Sequence, residues 1–244
     1  MSSLLELRGV TATYGGNPVV DGVCMNVGDG ELVALLGSNG AGKTTLLKAV
    51  SGLVPMRAGE VIFHNLNLTN MPPHQRARHG LVLVPEGRRI FPDFTVLENL
   101  QAGALARNGR ADQEQDMRQI FSLFPVLEQK QELAAASLSG GEQQMLAIGR
   151  ALMSAPCLLM IDEPSLGLSP IVLRDLYNAL ALLAGSGLAV LVAEQNLRVA
   201  LRVAQRGYVL RHGEIVFQGS ASELRDRTDL PELYLGKAVF KEEG

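Results

Sequence analysis

The chain contains no tryptophan, only two cysteines and four histidines, and no unbroken apolar stretch of the length a bilayer demands. Each scarcity excludes something. Cys24 and Cys157 lie in apolar, strand-like runs without Cys-X-X-Cys or Cys/His spacing, so neither a metal site nor a disulfide is expected. Both read as small, buried, reduced side chains, which suits a cytosolic chain. His64, His74, His79 and His212 share no ligand spacing and read as surface or turn residues. The longest apolar stretch, Ala179 to Ala193, is interrupted by Gly185-Ser186-Gly187 and falls short of the roughly 20 residues of a membrane span. It reads as helix, turn, strand, so any membrane role must come through a partner. Met1 to Glu6 lacks the basic region and apolar run of a secretory signal, and no export is expected. Charge of one sign is lacking too. The 22 basic and 25 acidic residues leave a net of -3, which offers no electrostatic footprint for nucleic acid.

What is present is a chain of 244 residues with 47% apolar side chains, enough for a single α/β domain spanning 1–244. Leu5, Leu7 and Val10, then Val23, Met25 and Val27, alternate between turn residues and predict an antiparallel β layer. Residues 1–30 and 60–70 are assigned to that layer, with a strand at Glu60 to Phe63 and a polar segment from Asn65 to Arg78. Leu32 to Leu36 is a continuous apolar run, as expected of a strand covered on both faces, and a helix from Lys43 to Val50 should follow. Helical spacing at Leu97 to Ala106 and Gln113 to Leu123 predicts a helical subdomain over 95–137. The remainder alternates: strand Leu81 to Val84, helix Gly141 to Ser154, strand Leu158 to Ile161, helix Ile171 to Leu183, strand Leu188 to Val192 and helix Asn196 to Val203. That rhythm predicts a mostly parallel sheet, closed by a hairpin of Tyr208 to Leu210 with Glu214 to Phe217.

Three segments carry chemistry. Gly37-Ser38-Asn39-Gly40-Ala41-Gly42-Lys43-Thr44 matches G-x-x-x-x-G-K-[ST] between a predicted strand and a predicted helix. Its backbone N–H groups can surround phosphate oxygens, the helix N-terminus adds partial positive charge, Lys43 reaches the terminal phosphates, and the Thr44 hydroxyl can ligate Mg²⁺. The nucleotide-binding run is Gly37 to Thr45, Thr45 included. Cys157 to Glu163 is an apolar run ending in two acids, which places carboxylates at the carboxyl end of a buried strand. Asp162 would hold Mg²⁺ through water, and Glu163 is suited to polarising the water that attacks a γ-phosphate. Leu138-Ser139-Gly140-Gly141-Glu142-Gln143-Gln144 opens a helix, where a hydroxyl and free N–H groups could meet an anion.

In this order the three segments resemble the nucleotide-binding subunits of ABC transporters, over essentially the whole chain. The resemblance implies a P-loop NTPase core of the ABC ATPase type, with a mostly parallel sheet, an antiparallel β subdomain and a helical subdomain. It also implies ATP and Mg²⁺ as cofactors. In that family two subunits sandwich two ATP molecules, so Ser139, Gly140, Gly141 and Glu142 would serve a partner's ATP. Tyr14 matches the residue that stacks on adenine.

Three departures narrow the resemblance. Glu86, in Pro85-Glu86-Gly87-Arg88-Arg89, stands where glutamine is usual and could ligate Mg²⁺. Gln195 aligns with the usual switch histidine; it can hydrogen-bond the γ-phosphate but cannot carry a proton there. Ser169 replaces a common aspartate in the loop Pro164 to Pro170. Together these are similar to the LivF-type subunit of branched-chain amino-acid importers, a pattern shared with urea and amide importers. That resemblance implies a peripheral subunit on the cytoplasmic face of the inner membrane. Its partners would be a second, LivG-like ATPase, two permease subunits and, indirectly, a periplasmic or extracellular solute-binding protein, with a homodimer possible in isolation. Arg88 and Arg89 are expected to help dock on the permeases. A soluble ABC ATPase acting on nucleic acid or ribosomes would bring a coiled-coil insertion or a second cassette, and this chain has neither. A small-molecule kinase would have no use for Leu-Ser-Gly-Gly-Glu-Gln.

Overall fold

The computed structural model describes residues 3–105 and 112–228. Strand β1 (Ser3–Ala12) pairs antiparallel with β2 (Val20–Gly28), setting Leu5 opposite Val27 and Val10 opposite Val23. β3 (Leu32–Leu36) is buried throughout and runs into the glycine-rich loop and helix α1 (Lys43–Val50). β4 (Met56–Phe63) returns beside β1, longer than the predicted strand, and β5 (Leu66–Asn67) completes a four-stranded sheet in the order β2-β1-β4-β5. Next come α2 (Pro73–Arg78), β6 (Leu81–Val84), α3 (Val96–Ala104), α4 (Gln113–Leu123) and α5 (Pro125–Gln129). Ala106, the predicted end of the first of these longer helices, lies outside the described residues. After a 3₁₀ turn at Ala135–Ser137 the chain alternates: α6 (Gly140–Leu152), β7 (Leu158–Asp162), α7 (Pro170–Gly185), β8 (Ala189–Glu194) and α8 (Leu197–Ala200). It closes with β9 (Arg206–Arg211), β10 (Glu214–Ser220) and α9 (Ala221–Asp226).

The larger sheet has the order β10-β9-β3-β8-β7-β6, parallel except for the β9–β10 hairpin. Strand β3 explains why an apolar run was needed. Val33 and Leu35 face α1 and the small antiparallel sheet, whereas Leu32, Ala34 and Leu36 face the layer of α6 and α7. One strand therefore serves two cores, and any polar side chain within it would be buried. Helices α3 and α6 cross so closely at Gly103 that a Cβ there would overlap the carbonyl oxygen of Arg150.

Several expectations change. Both cysteines are exposed. Cys24 takes the outward position of β2 between inward Val23 and Met25, and Cys157 lies just before β7, where the strand has not yet entered the core. The predicted helix Asn196 to Val203 is a single turn, α8, because Asn196 caps it at one end and the chain must turn back into β9 at the other. The strand predicted at Leu188 to Val192 runs on to Glu194. All four histidines are exposed, as read.

Helix α2 falls in the polar segment that showed no element, and Arg76 accounts for its placement. This side chain is buried, and its guanidinium donates to four carbonyls of the α1 end and the β5–α2 loop: Ala49 at 3.1 Å, Val50 at 2.7 Å, Thr69 at 2.8 Å and Met71 at 2.8 Å. It satisfies the end carbonyls of α1, where positive charge is favourable. Arg76→Met should lower the unfolding free energy by about 3 kcal/mol by removing the side-chain donor of those carbonyls, although the Ala49 carbonyl keeps the Gly52 N–H. Arg76→Lys should not restore it, since one ammonium cannot span the fork. Urea denaturation checks both: a fall in midpoint at constant slope is expected.

Candidate phosphate-binding site

The loop after β3 works because of Gly42, which takes φ 108 and caps α1 without a side-chain hydrogen bond. A Cβ on Gly42 would lie 2.8 Å from the carbonyl oxygen of Val19. The first turn of α1 carries no acid, so its N-terminal N–H groups open on a cavity of about 320 Å³. The stretch from Asn39 to Thr45 lines that cavity with Glu86, Glu163, Leu166 and Gln195. Carboxylate, amide and phosphate loop thus meet although they are far apart in sequence. They converge because β3, β8, β7 and β6 are parallel neighbours, and all four carboxyl ends open at one edge.

Lys43 is the buried cation of this edge, 4% exposed. Its Nζ donates to the carbonyls of Gly37 at 2.7 Å and Ser38 at 3.1 Å and pairs with Glu163 Oε1 at 2.8 Å. Glu163 sits in the left-handed region at φ 49, and its Oε2 accepts the backbone N–H of Gln195 at 3.3 Å. The Thr44 hydroxyl donates to Asp162 Oδ1 at 3.1 Å. Asp162 Oδ2 is buried and has no hydrogen-bond partner among the described residues. Burial pushes the Asp162 carboxyl up to about 6, and the charges of Glu163 and Glu86 add to this; the Thr44 hydroxyl and Lys43 oppose it. Hard oxygen donors with one orphaned carboxylate oxygen suit a small divalent cation. Among the described residues no group of three Asp, Glu, His or Cys side chains is placed to hold an ion, so an ion here would draw ligands from phosphate as well.

The remaining predicted residues lie elsewhere. Tyr14 is exposed in the β1–β2 turn and does not line the cavity; Val19 does. Ser139 caps α6 in a reciprocal capping box with Glu142, and Gly140 and Gly141 open the helix. Glu142 is already engaged by Lys130 at 2.8 Å and 2.9 Å. Burial would raise its pKa, but Lys130 and the Ser139 N–H hold it below the usual carboxylate range. Ser169 caps α7, accepting from the Val172 N–H. Arg88 is half-buried and donates to Gln143 Oε1 at 3.0 Å, crossing over Gly140. It therefore braces the start of α6, and only Arg89 of the pair is exposed.

The motifs give Glu194 no role of its own. It ends β8, is fully buried, and accepts from Ser165, Tyr177 and Asn196. The signal was present: an acid closing a buried apolar strand, the pattern that marks Asp162.

The raised Asp162 pKa sets a pH dependence. The folded chain keeps this proton up to about pH 6, whereas the unfolded chain loses it near the ordinary aspartate value of 3.8. Across that window the folded state binds more protons, so stability falls as pH rises. In chelator, Asp162→Asn should remove that part of the slope and stabilise the chain above pH 6 by about 3 kcal/mol. Urea denaturation at a series of pH values checks this.

The ABC transporter family model matches residues 20–166. Over 233 residues, 96% of this chain and 100% of the relative, the chain is 40% identical to the high-affinity branched-chain amino acid transport ATP-binding protein BraG of Pseudomonas aeruginosa. It is 34% identical over 235 residues to the lipopolysaccharide export system ATP-binding protein LptB of Escherichia coli K12, covering 96% of this chain and 97% of LptB. Among solved structures, a nucleotide-free ATP-binding cassette from an ABC transporter superposes with TM-score 0.86 at 26% identity, covering 97% of this chain and 100% of that one. The dimeric bacterial ABC transporter cassette MJ0796 superposes with TM-score 0.77 at 26% identity, covering 89% of this chain and 98% of that one. With this fold and a phosphate loop closed by Lys43 and Glu163, the chain belongs to the ABC transporter family as an ATP-binding, ATP-hydrolysing transport ATPase.

Proposed function

We propose that this chain is the LivF-type motor subunit of a branched-chain amino-acid importer. The observation that carries the solute class is the 40% identity to BraG along the whole of that relative, against 34% to LptB. Glu86, Ser169 and Gln195, standing where glutamine, aspartate and histidine are usual, point the same way.

In this reading Gly37 to Thr45 cradle the phosphates of ATP and Tyr14 stacks on the adenine. A phosphate oxygen reaching Lys43 replaces its present partners, so Glu163 Oε1 is released as the ammonium turns to the nucleotide. Glu163 then accepts a proton from a water whose oxygen bonds to the γ-phosphorus, the bond to the β–γ bridging oxygen breaks so that this oxygen leaves with ADP, and Gln195 hydrogen-bonds the γ-phosphate through its amide. Thr44, Asp162 and Glu86 would hold Mg²⁺, which when bound neutralises phosphate charge. Ser139, Gly140, Gly141 and Glu142 belong to a partner's nucleotide, with Glu142 framing the turn through Lys130 rather than meeting phosphate.

A groove of about 270 Å³ beside the Glu86 turn, lined by Pro85, Arg89, Phe91, Gly103 and Arg150, is the surface for the permease subunits. Arg150 lies there with its guanidinium over the Phe91 ring, and its Nη2 donates to the Arg89 carbonyl. Among the described residues no helix is long and apolar enough to cross a membrane. Attachment to the cytoplasmic face then rests on such docking, with a LivG-like ATPase as dimer partner and a solute-binding protein acting from the far side.

Three outcomes are expected. Glu163→Gln in the assembled transporter should retain ATP binding and lose hydrolysis by about a hundredfold or more; unchanged turnover removes Glu163 from the role. The purified chain alone should hydrolyse ATP weakly and recover with its partner ATPase and permeases. In the intact complex with its binding protein, leucine, isoleucine or valine should stimulate ATPase. Stimulation by urea or an amide, or by lipopolysaccharide, would overturn the solute assignment while leaving the motor role in place.

A further inference from the structure

The buried carboxylate of Glu194 adjoins the phosphate site and has no task in the proposed hydrolysis. Its residue is 0% exposed, and no cation pairs with it among the described residues. Instead it collects donors from three elements. Oε1 accepts the Ser165 N–H at 3.0 Å and the Tyr177 hydroxyl at 2.6 Å; Oε2 accepts the Ser165 hydroxyl at 2.8 Å and the Asn196 N–H at 3.4 Å. Tyr177, from the buried face of α7, is itself enclosed. A charge held by neutral donors alone contributes little net stability, because its desolvation offsets the hydrogen bonds. What four convergent donors do supply is a single geometry.

That geometry concerns Glu163. Its left-handed backbone persists only if its neighbours over-determine it. Two pins do so: the Glu163 N–H bonds to the carbonyl of Ala193 at 3.0 Å, and the Ser165 N–H bonds to Glu194. The same carboxylate takes the Asn196 N–H, which fixes the turn carrying Gln195, whose own N–H holds Glu163 Oε2. Leu166, next along the pinned turn, lines the phosphate cavity. We propose that Glu194 is a positioning residue for ATP hydrolysis, its carboxylate clamping the turn of Glu163 to the turn of Gln195 through Ser165, Asn196 and the buried hydroxyl of Tyr177. The proposal rests on Glu163 being the water-polarising carboxylate.

The test uses the full chain in its membrane complex and separates turnover from nucleotide affinity. Glu194→Gln keeps the shape but offers one acceptor oxygen and places N–H groups against the remaining donors. It should lower kcat about tenfold or more while leaving ATP affinity, read with labelled ATP, within about twofold. Tyr177→Phe removes one donor and should lower kcat by about threefold, and the double variant should be no slower than Glu194→Gln alone. Should Glu194→Gln not fold, Tyr177→Phe and Ser165→Ala carry the test with the same split. A kcat within twofold of the parent in the folded variants, or kcat and affinity falling in parallel, overturns the clamp. Glu163→Gln run alongside keeps the two readings apart. If it abolishes hydrolysis while the Glu194, Tyr177 and Ser165 variants turn over normally, only the clamp fails; if it hydrolyses normally, the role of Glu163 fails first.

Discussion

A lysine ammonium buried at the carboxyl end of β3 governs the architecture around it. Lys43 is nearly inaccessible, so its charge must be met inside the protein, and two loop carbonyls with one carboxylate meet it. Those acceptors are available only if the loop from Gly37 folds back over the ammonium and β7 ends beside β3, one strand removed. The first condition demands Gly42 at positive φ against Val19. The second demands the parallel order β3-β8-β7. A parallel sheet must in turn be covered on both faces, which is why the helices of one layer and the small antiparallel sheet of the other are both present. The site and the layered fold are thus consequences of one another.

Much of this was legible in the residues because the relevant signals are local. The run Leu32 to Leu36, the glycines from Gly37, and the apolar strand closing on Asp162 and Glu163 each state their structure within a few positions. What could not be read depends on contacts across the chain. Arg76 looked like one more charge in a polar segment, and only the proximity of the α1 end turns it into a buried cap. Arg88 looked like half of an exposed basic pair, yet Gln143, distant in sequence, draws it inward. Cys24 shows a different failure: in a strand covered on one face, an apolar neighbourhood does not say which way the alternate side chain points. Glu194 closes an apolar strand as Asp162 does, but its partners come from α7 and from the loop after β7, which no local pattern connects.

The charge carried by the cavity also bears on whether it can work alone. Facing the phosphate loop are the carboxylates of Asp162, Glu163 and Glu86 against the single ammonium of Lys43, and Gln195 contributes none. Asp162 relieves part of the repulsion by holding its proton up to about pH 6. A triphosphate adds more negative charge to this edge, and the N-terminal dipole of α1 offsets only about half a unit of it. The balance must come from outside this set of side chains. A divalent cation at the Thr44–Asp162 oxygens is one source. The other is a second helix N-terminus, and α6 is built as one: capped by Ser139, opened by two glycines, with its own carboxylate, Glu142, neutralised by Lys130. Within one chain that terminus does not line the phosphate cavity. We infer that α6 of a second cassette closes the site, in which case the carboxylate at position 86 and the neutral amide at position 195 would make this chain depend on that partner more than a cassette with glutamine and histidine there.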